Sequence, residues 1–404
     1  MKLTKKVKSR IFAVVCAVLG LGLIGGTVAT LANVFEKPET VIHGGEDDSA
    51  YHEDLHPKIY GVEGEINQDS LLTRTDDAVD MTYTVHTTEG TIDSDFDNAE
   101  IYHHIKEYTD ARGNVFVSIP KHYVKYTWDE ENNTLKTQIS SYKYPGFILY
   151  PCFRLDNGIE IDSIKIGKYD AGGTSERATS VSGVAPLGNI TIDDMRTACK
   201  ANNTSVVKTY QQLDIWTWVM IQDLFKVEFA TTNSQAVMRG RVDAGSLSYS
   251  GTCDSLGVNK SGWDLTSMVM TYRGIENLYG NTNQWLDGIN LNNATAYVCY
   301  KTASYHSEVL DGDYTAVDYH LATGSGNADQ IGFDPNNPFV RLAVHYNGSD
   351  YDVGGYYNDY SYLGGAVMCV GGRCHHGSSA GLFKVDSYSA SLADSSFGGR
   401  LLLK

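Results

Sequence analysis

Four residues near the C-terminus are of the types that do chemistry: Cys369, Cys374, His375 and His376. Thiolates and imidazoles are the usual zinc ligands, and a C-x4-C spacing invites comparison with a redox pair. The spacing matches no common structural zinc site, and adjacent His375 and His376 would point apart on a strand. Asp311, Asp313 and Asp318 carry oxygens of the kind calcium takes, but calcium needs several that converge, and a polar loop explains these better. Asp76-Asp77 reads as a turn, because adjacent carboxylates rarely aim at one bond. His103-His104 reads as solvated surface. No catalytic residue, metal ligand or cofactor is assigned, and the chain is not expected to be an enzyme.

Recognition suits the same region better. His345-Tyr346-Asn347-Gly348-Ser349-Asp350-Tyr351 and Gly354-Gly355-Tyr356-Tyr357-Asn358-Asp359-Tyr360-Ser361-Tyr362 are built from Tyr, Ser, Gly, Asn and Asp, and Glu, Gln and Trp are absent after Pro338. Tyrosine gives a large amphipathic contact at low entropic cost, and Ser, Gly and Asn adapt their hydrogen bonds, as in antibody binding surfaces. Alternating tyrosines also suit sheet packing, but the glycine and asparagine neighbours favour loops here. The residues expected to bind ligand are Tyr346, Tyr351, Tyr356, Tyr357, Asn358, Tyr360, Tyr362, Arg373, Cys374, His375, His376, Ser379, Lys384, Asp386 and Tyr388.

Bulk properties narrow the alternatives. The 404 residues are 42% hydrophobic, 11% aromatic and 20% charged, the composition of a folded protein with a sizeable core. A formal net charge of −17 argues against nucleic acid as a partner. Lys2, Lys5, Lys6, Lys8 and Arg10 precede an uncharged stretch from Ile11 to Phe35, long enough to span a bilayer as a helix. The positive flank would stay in the cytoplasm. The expectation is a single-pass membrane protein at the cell surface with its C-terminus outside; the alternative is secretion after cleavage near Thr30-Leu31-Ala32. Cys152, Cys199, Cys253, Cys299, Cys369 and Cys374 form no disulfide framework by spacing and read as free and buried.

Ordered elements must position these residues. After the hydrophobic segment 1–35 comes an acidic stalk, 36–58, and a β-rich leader, 59–112. Strands are expected at Ile59–Val62, Met81–Val85, Val115–Ile119 and His122–Trp128, with a hairpin turn over Asp129–Asn133. Ile159–Ile166 alternates polar and apolar residues throughout and reads as one strand. Thr191 caps a first helix, with Asp193 and Asp194 suiting its dipole. A second helix runs from about Gln211 to Ala230, and its broad apolar face predicts burial between a sheet and other layers. Beyond Thr231 regular structure thins into long loops of the kind that carry function. Trp263 and Trp285 read as core.

Several segments, in order, resemble the variable proteins of diversity-generating retroelements, whose diversified part has a C-type-lectin fold related to formylglycine-generating (sulfatase-modifying) enzymes. They are Ile59-Tyr60-Gly61-Val62 with Arg74-Thr75-Asp76-Asp77, then Asn114 to Lys121, Tyr144-Pro145-Gly146-Phe147 to Tyr169, and Asn233-Ser234-Gln235. Ile275 to Gly288 follows, with Asn283 where the family usually has a second Trp. Gly371-Gly372, Gly377 to Phe383 and Gly398-Gly399-Arg400-Leu401 complete the series.

The resemblance implies an α+β, C-type-lectin-like domain over 113–404: two helices packed on short antiparallel strands with extensive loops, preceded by the β-rich leader and the hydrophobic helix. It implies a variable region at about 340–404, diversified at adenines by a reverse transcriptase encoded nearby. Arg373, Cys374, His375, His376, Val385, Asp386, Ser387 and Tyr388 are all reachable from an adenine-substituted AAC codon; Lys384 is not. Gly371, Gly372, Gly377, Gly381, Leu382, Phe383 and Arg400 read as fixed framework. The implied function is a displayed, hypervariable receptor or adhesin whose unknown ligand is a protein or glycan on another cell or phage. Alternatives are a phage tail receptor-binding protein of the same fold and, further off, a formylglycine-generating oxidase. For the oxidase the reactive pair would lie further on than Cys369 and Cys374, which straddle Gly371-Gly372, and the positions that should hold it contain no cysteine.

Overall fold

The structure, a computed structural model, describes residues 57–65, 71–307, 312–346, 357–360 and 365–404. Strands dominate: 37% of the described residues are strand and 15% helix. This corrects the expected α+β architecture of two helices on short strands. The difference lies after Thr231, where the abundance of Gly, Asn, Ser and Tyr suggests loop. There the chain instead builds a nine-stranded sheet, in the order Tyr314–Ala316, Thr295–Cys299, Asn283–Asn292, Ala366–Gly371, Gly381–Ser389, Tyr357–Asp359, Ser325–Ile331, Ala343–Tyr346, with Phe397–Gly398 beside Asn283–Asn292. Asn283–Asn292 is buried along nearly its whole length, and a strand covered on both faces shows no alternation to read.

The long helix Ile215–Phe229 is the hub, with all fifteen residues buried. Asp214 caps it, its carboxylate accepting the Thr217 N–H at 2.9 Å. It packs against strands Tyr60–Glu65, Thr134–Ser140 and Asn283–Asn292. The charges it carries inward are paired. Asp223 meets Lys226 at 2.9 Å and Arg341 at 2.7 Å, and Glu228 meets Arg273 at 2.5 Å. The helix starts later than expected because Tyr210–Gln212 is a strand, paired with Leu401–Leu403 at the chain's end. The shorter helix Ile192–Lys200 begins at Thr191, whose hydroxyl accepts the Asp194 N–H.

Most of the early strands form near their expected positions, at Tyr60–Glu65, Tyr83–His86, Val115–Pro120 and Tyr123–Asp129. Only the second half of the expected strand at Ile159–Ile166 does so, as Ser163–Gly167; Glu160 makes an isolated bridge to Arg154. The leader strands pair with later ones, Tyr60–Glu65 with Thr134–Ser140 and Thr91–Ser94 with Gly262–Trp263. The described residues belong to one compact unit. Arg400, fully buried, stitches the C-terminus into it by donating to Gln284, Gly167, Glu276 and Asn277 and pairing with Asp170 at 3.1 Å.

The expected single-pass membrane protein also needs correction: among the described residues no helix is long and apolar enough to cross a membrane. Segment 1–35, on which that expectation rested, and the stalk up to residue 56 lie outside the described residues.

Candidate functional site

The site begins with three glycines. Strand Ala366–Gly371 leaves the sheet through Gly371 and Gly372, at φ 86° and 74°, and Gly377 follows at φ 55°. Side chains rarely adopt these angles, so glycine lets the chain turn sharply here. A Cβ on Gly371 would lie 2.6 Å from the Leu278 carbonyl oxygen. Between these corners and strand Gly381–Ser389 lies a short connection, Arg373–Ala380, that includes the 3-10 turn Gly377–Ser379.

Its backbone is fastened from beneath. Cys374 N–H donates to Asn281, Ala244 N–H donates to the Cys374 carbonyl at 2.6 Å, and Gly377 N–H donates to Val242 at 2.9 Å. Gln235 donates to the carbonyls of Gly377 and Ala380, and Leu382 N–H donates to the Ser234 hydroxyl. The Asn233-Ser234-Gln235 motif therefore has a physical role. Asn233 caps the helical turn Ser234–Val237, and the next two side chains hold the C-terminal turn.

With the backbone fixed, His375 and Ser378 are exposed, and Arg373, His376 and Ser379 are partly so. Arg373 donates to His376 Nε2 at 2.7 Å and to Ser396 at 2.9 Å, and its guanidinium lies over the Phe397 ring. Burial, reinforced by the cations Lys384 and Arg373, pushes His376 down to about 3, so it stays neutral and accepts from Arg373. Ser379 donates to the His376 carbonyl.

Beside this turn opens a cleft of about 570 Å³ walled by Gln235, Arg239–Ala244 and Thr266–Met268. Arg241 lines it, donating to the Ser246 carbonyl at 2.9 Å and the Ser267 carbonyl at 2.7 Å. Arg239 and Asp243 are exposed. Sequence patterning singles out Gln235 and none of the other lining residues. Two arginines flanking Gly240 in an acidic chain are the signal that points to them.

The residues expected to bind fall into four groups. Asn358, Tyr360, Cys374, Lys384 and Asp386 are buried, as framework side chains would be. Lys384 lies 2.8 Å from Asp386, and Tyr360 donates to Asn358. Tyr346, Arg373, His375, His376, Ser379 and Tyr388 keep some exposure; Tyr388 packs edge-on against Phe397. Tyr357 opens the strand Tyr357–Asp359, so part of the tyrosine run is sheet rather than loop. Tyr351, Tyr356 and Tyr362 lie outside the described residues.

Cys152, Cys199, Cys253, Cys299, Cys369 and Cys374 are free and buried. Burial raises the Cys369 and Cys374 thiols above their ordinary value, which disfavours the reactive thiolate. Among the described residues no three His, Cys, Asp or Glu side chains converge as a metal site. Asp313 instead binds Lys301 and Ser304, and Asp311 lies outside the described residues.

No family model matches this sequence, and no curated protein matches it. Among solved structures it is similar to PvdO from Pseudomonas aeruginosa, at 11% identity and a TM-score of 0.32, over 74% of this chain and 97% of that one. A likeness this weak transfers neither fold nor function.

Proposed function

We propose that this chain is a non-enzymatic ligand-binding protein whose C-terminal segment is diversified by a reverse transcriptase encoded nearby. The observation that carries the reading is the Arg373–Ala380 turn. Its backbone is pinned by hydrogen bonds from residues outside the variable region, while His375 and Ser378 project to solvent. A turn so fastened tolerates exchange of exposed side chains without loss of the fold, which is what a diversified recognition surface requires. Lys384, which adenine substitution of an AAC codon does not produce, is buried beside Asp386 and fits a framework role. The buried thiols at Cys369 and Cys374 favour binding over oxidase chemistry.

The test is the flanking DNA. A reverse-transcriptase gene and a near-copy of the last coding segment, differing at adenines, are expected. Absence of both would remove the diversification and leave a scaffold with an exposed turn.

A further inference from the structure

The cleft beside the turn belongs to the part of the chain that does not vary in this reading, so whatever it binds is common to all variants. Its charge differs from that of the molecule. Arg239 and Arg241 both line it, against the single carboxylate of Asp243, in a chain of net charge −17. Arg241 is held in place by two backbone carbonyls, those of Ser246 and of Ser267 in the cleft wall. Arg239 is exposed and makes no hydrogen bond or ion pair among the described residues. Its guanidinium is thus free to form the paired N–H donors that match a carboxylate.

We infer that Arg239 and Arg241 form a constant anion subsite that takes a carboxylate side chain of an acidic protein ligand, while the turn residues above it set which ligand is held. This rests on the recognition role proposed for the turn. The cleft adjoins that turn directly: a Cβ on Gly377 would lie 3.4 Å from Asp243 Oδ1, and Val242 accepts the Gly377 N–H. An acidic polypeptide fits better than an acidic sugar because, among the described residues, no aromatic side chain lines the cleft to stack on a pyranose face.

The experiment titrates the full chain with a tetraglutamate peptide, its tetraglutamine counterpart and glucuronate, following amide shifts or thermophoresis at low and high salt. Tetraglutamate should bind and tetraglutamine should not. Binding should weaken with salt, and Arg239→Gln should reduce it by about tenfold while leaving the melting temperature unchanged. Glucuronate binding without peptide binding overturns the protein ligand in favour of an acidic saccharide. Equal binding by Arg239→Gln, or none to either acid, overturns the subsite. The flanking DNA separates the two claims: a near-copy without acid binding removes only the subsite, and acid binding without a near-copy removes only the diversification.

Discussion

Replacing Lys384 with Ala is the sharpest test of which C-terminal residues are framework. Its side chain is 3% exposed and lies 2.8 Å from Asp386, itself 2% exposed. Burial raises the Asp386 carboxyl above its ordinary value despite the attraction of Lys384, so desolvation outweighs the pair's Coulomb gain. Removing one partner then leaves a buried charge, at about 3–5 kcal/mol. With an unfolding entropy of about 2.1 cal/mol/K per residue, the 404-residue chain should melt roughly 4–6 °C lower.

Two controls follow from the same physics. The double change Lys384→Met with Asp386→Leu should be near neutral, because it removes both desolvated charges. The Lys384→Ala defect should shrink as pH falls, because a protonated Asp386 tolerates burial. Calorimetry of the three proteins at two pH values reads this directly. A Lys384→Ala protein that melts like the parent at neutral pH would refute the framework role and return Lys384 to the variable surface.

Further outcomes are expected elsewhere in the molecule. His122 is fully buried against Tyr150 and Phe153, and burial pushes it down to about 4. The unfolded chain therefore takes up a proton near the ordinary value while the folded one does not. Stability present above about pH 6.5 should fall by up to ~3 kcal/mol as pH drops toward 4, and His122→Phe should flatten that slope in denaturant titrations. Asn283 is buried with neither side-chain amide atom hydrogen-bonded among the described residues, so Asn283→Leu should stabilise by about 1–2 kcal/mol; a loss of similar size would point to an ordered water there. Gly371→Ala should destabilise by about 2–4 kcal/mol, given φ 86° and a Cβ 2.6 Å from the Leu278 oxygen; unchanged melting would contradict the tight corner.

What could be read from sequence was local. The Thr191 cap, the hairpin at Asp129–Asn133 and the burial of Trp263 and Trp285 follow from neighbouring residues. The start of the long helix was hidden because Tyr210–Gln212 is claimed by a strand from the opposite end of the chain. The large sheet was hidden because its strands bury Asn283, Gln284, Asp287 and Asn290, residue types that usually mark surface or loop. For the site, the glycine corners were legible: Gly371, Gly372 and Gly377 have positive φ, while Gly381 opens a strand without one. Lys384 and Asp386 read as surface groups because a buried ion pair depends on what covers it, and no local pattern records that. The cleft arginines escaped because the wall opposite them, Thr266–Met268, comes from a distant loop.

The central claim is that a fixed, buried framework carries an exposed, exchangeable turn. Sequencing the 3′ end of the coding region across a cell population, beside its near-copy, tests it most directly. Adenine-directed differences should fall at the codons for exposed or partly exposed residues such as Arg373 and His375, and spare Gly371, Gly372, Leu382, Phe383, Lys384 and Arg400. Differences spread evenly over those framework codons, or no variation at all, would contradict the account.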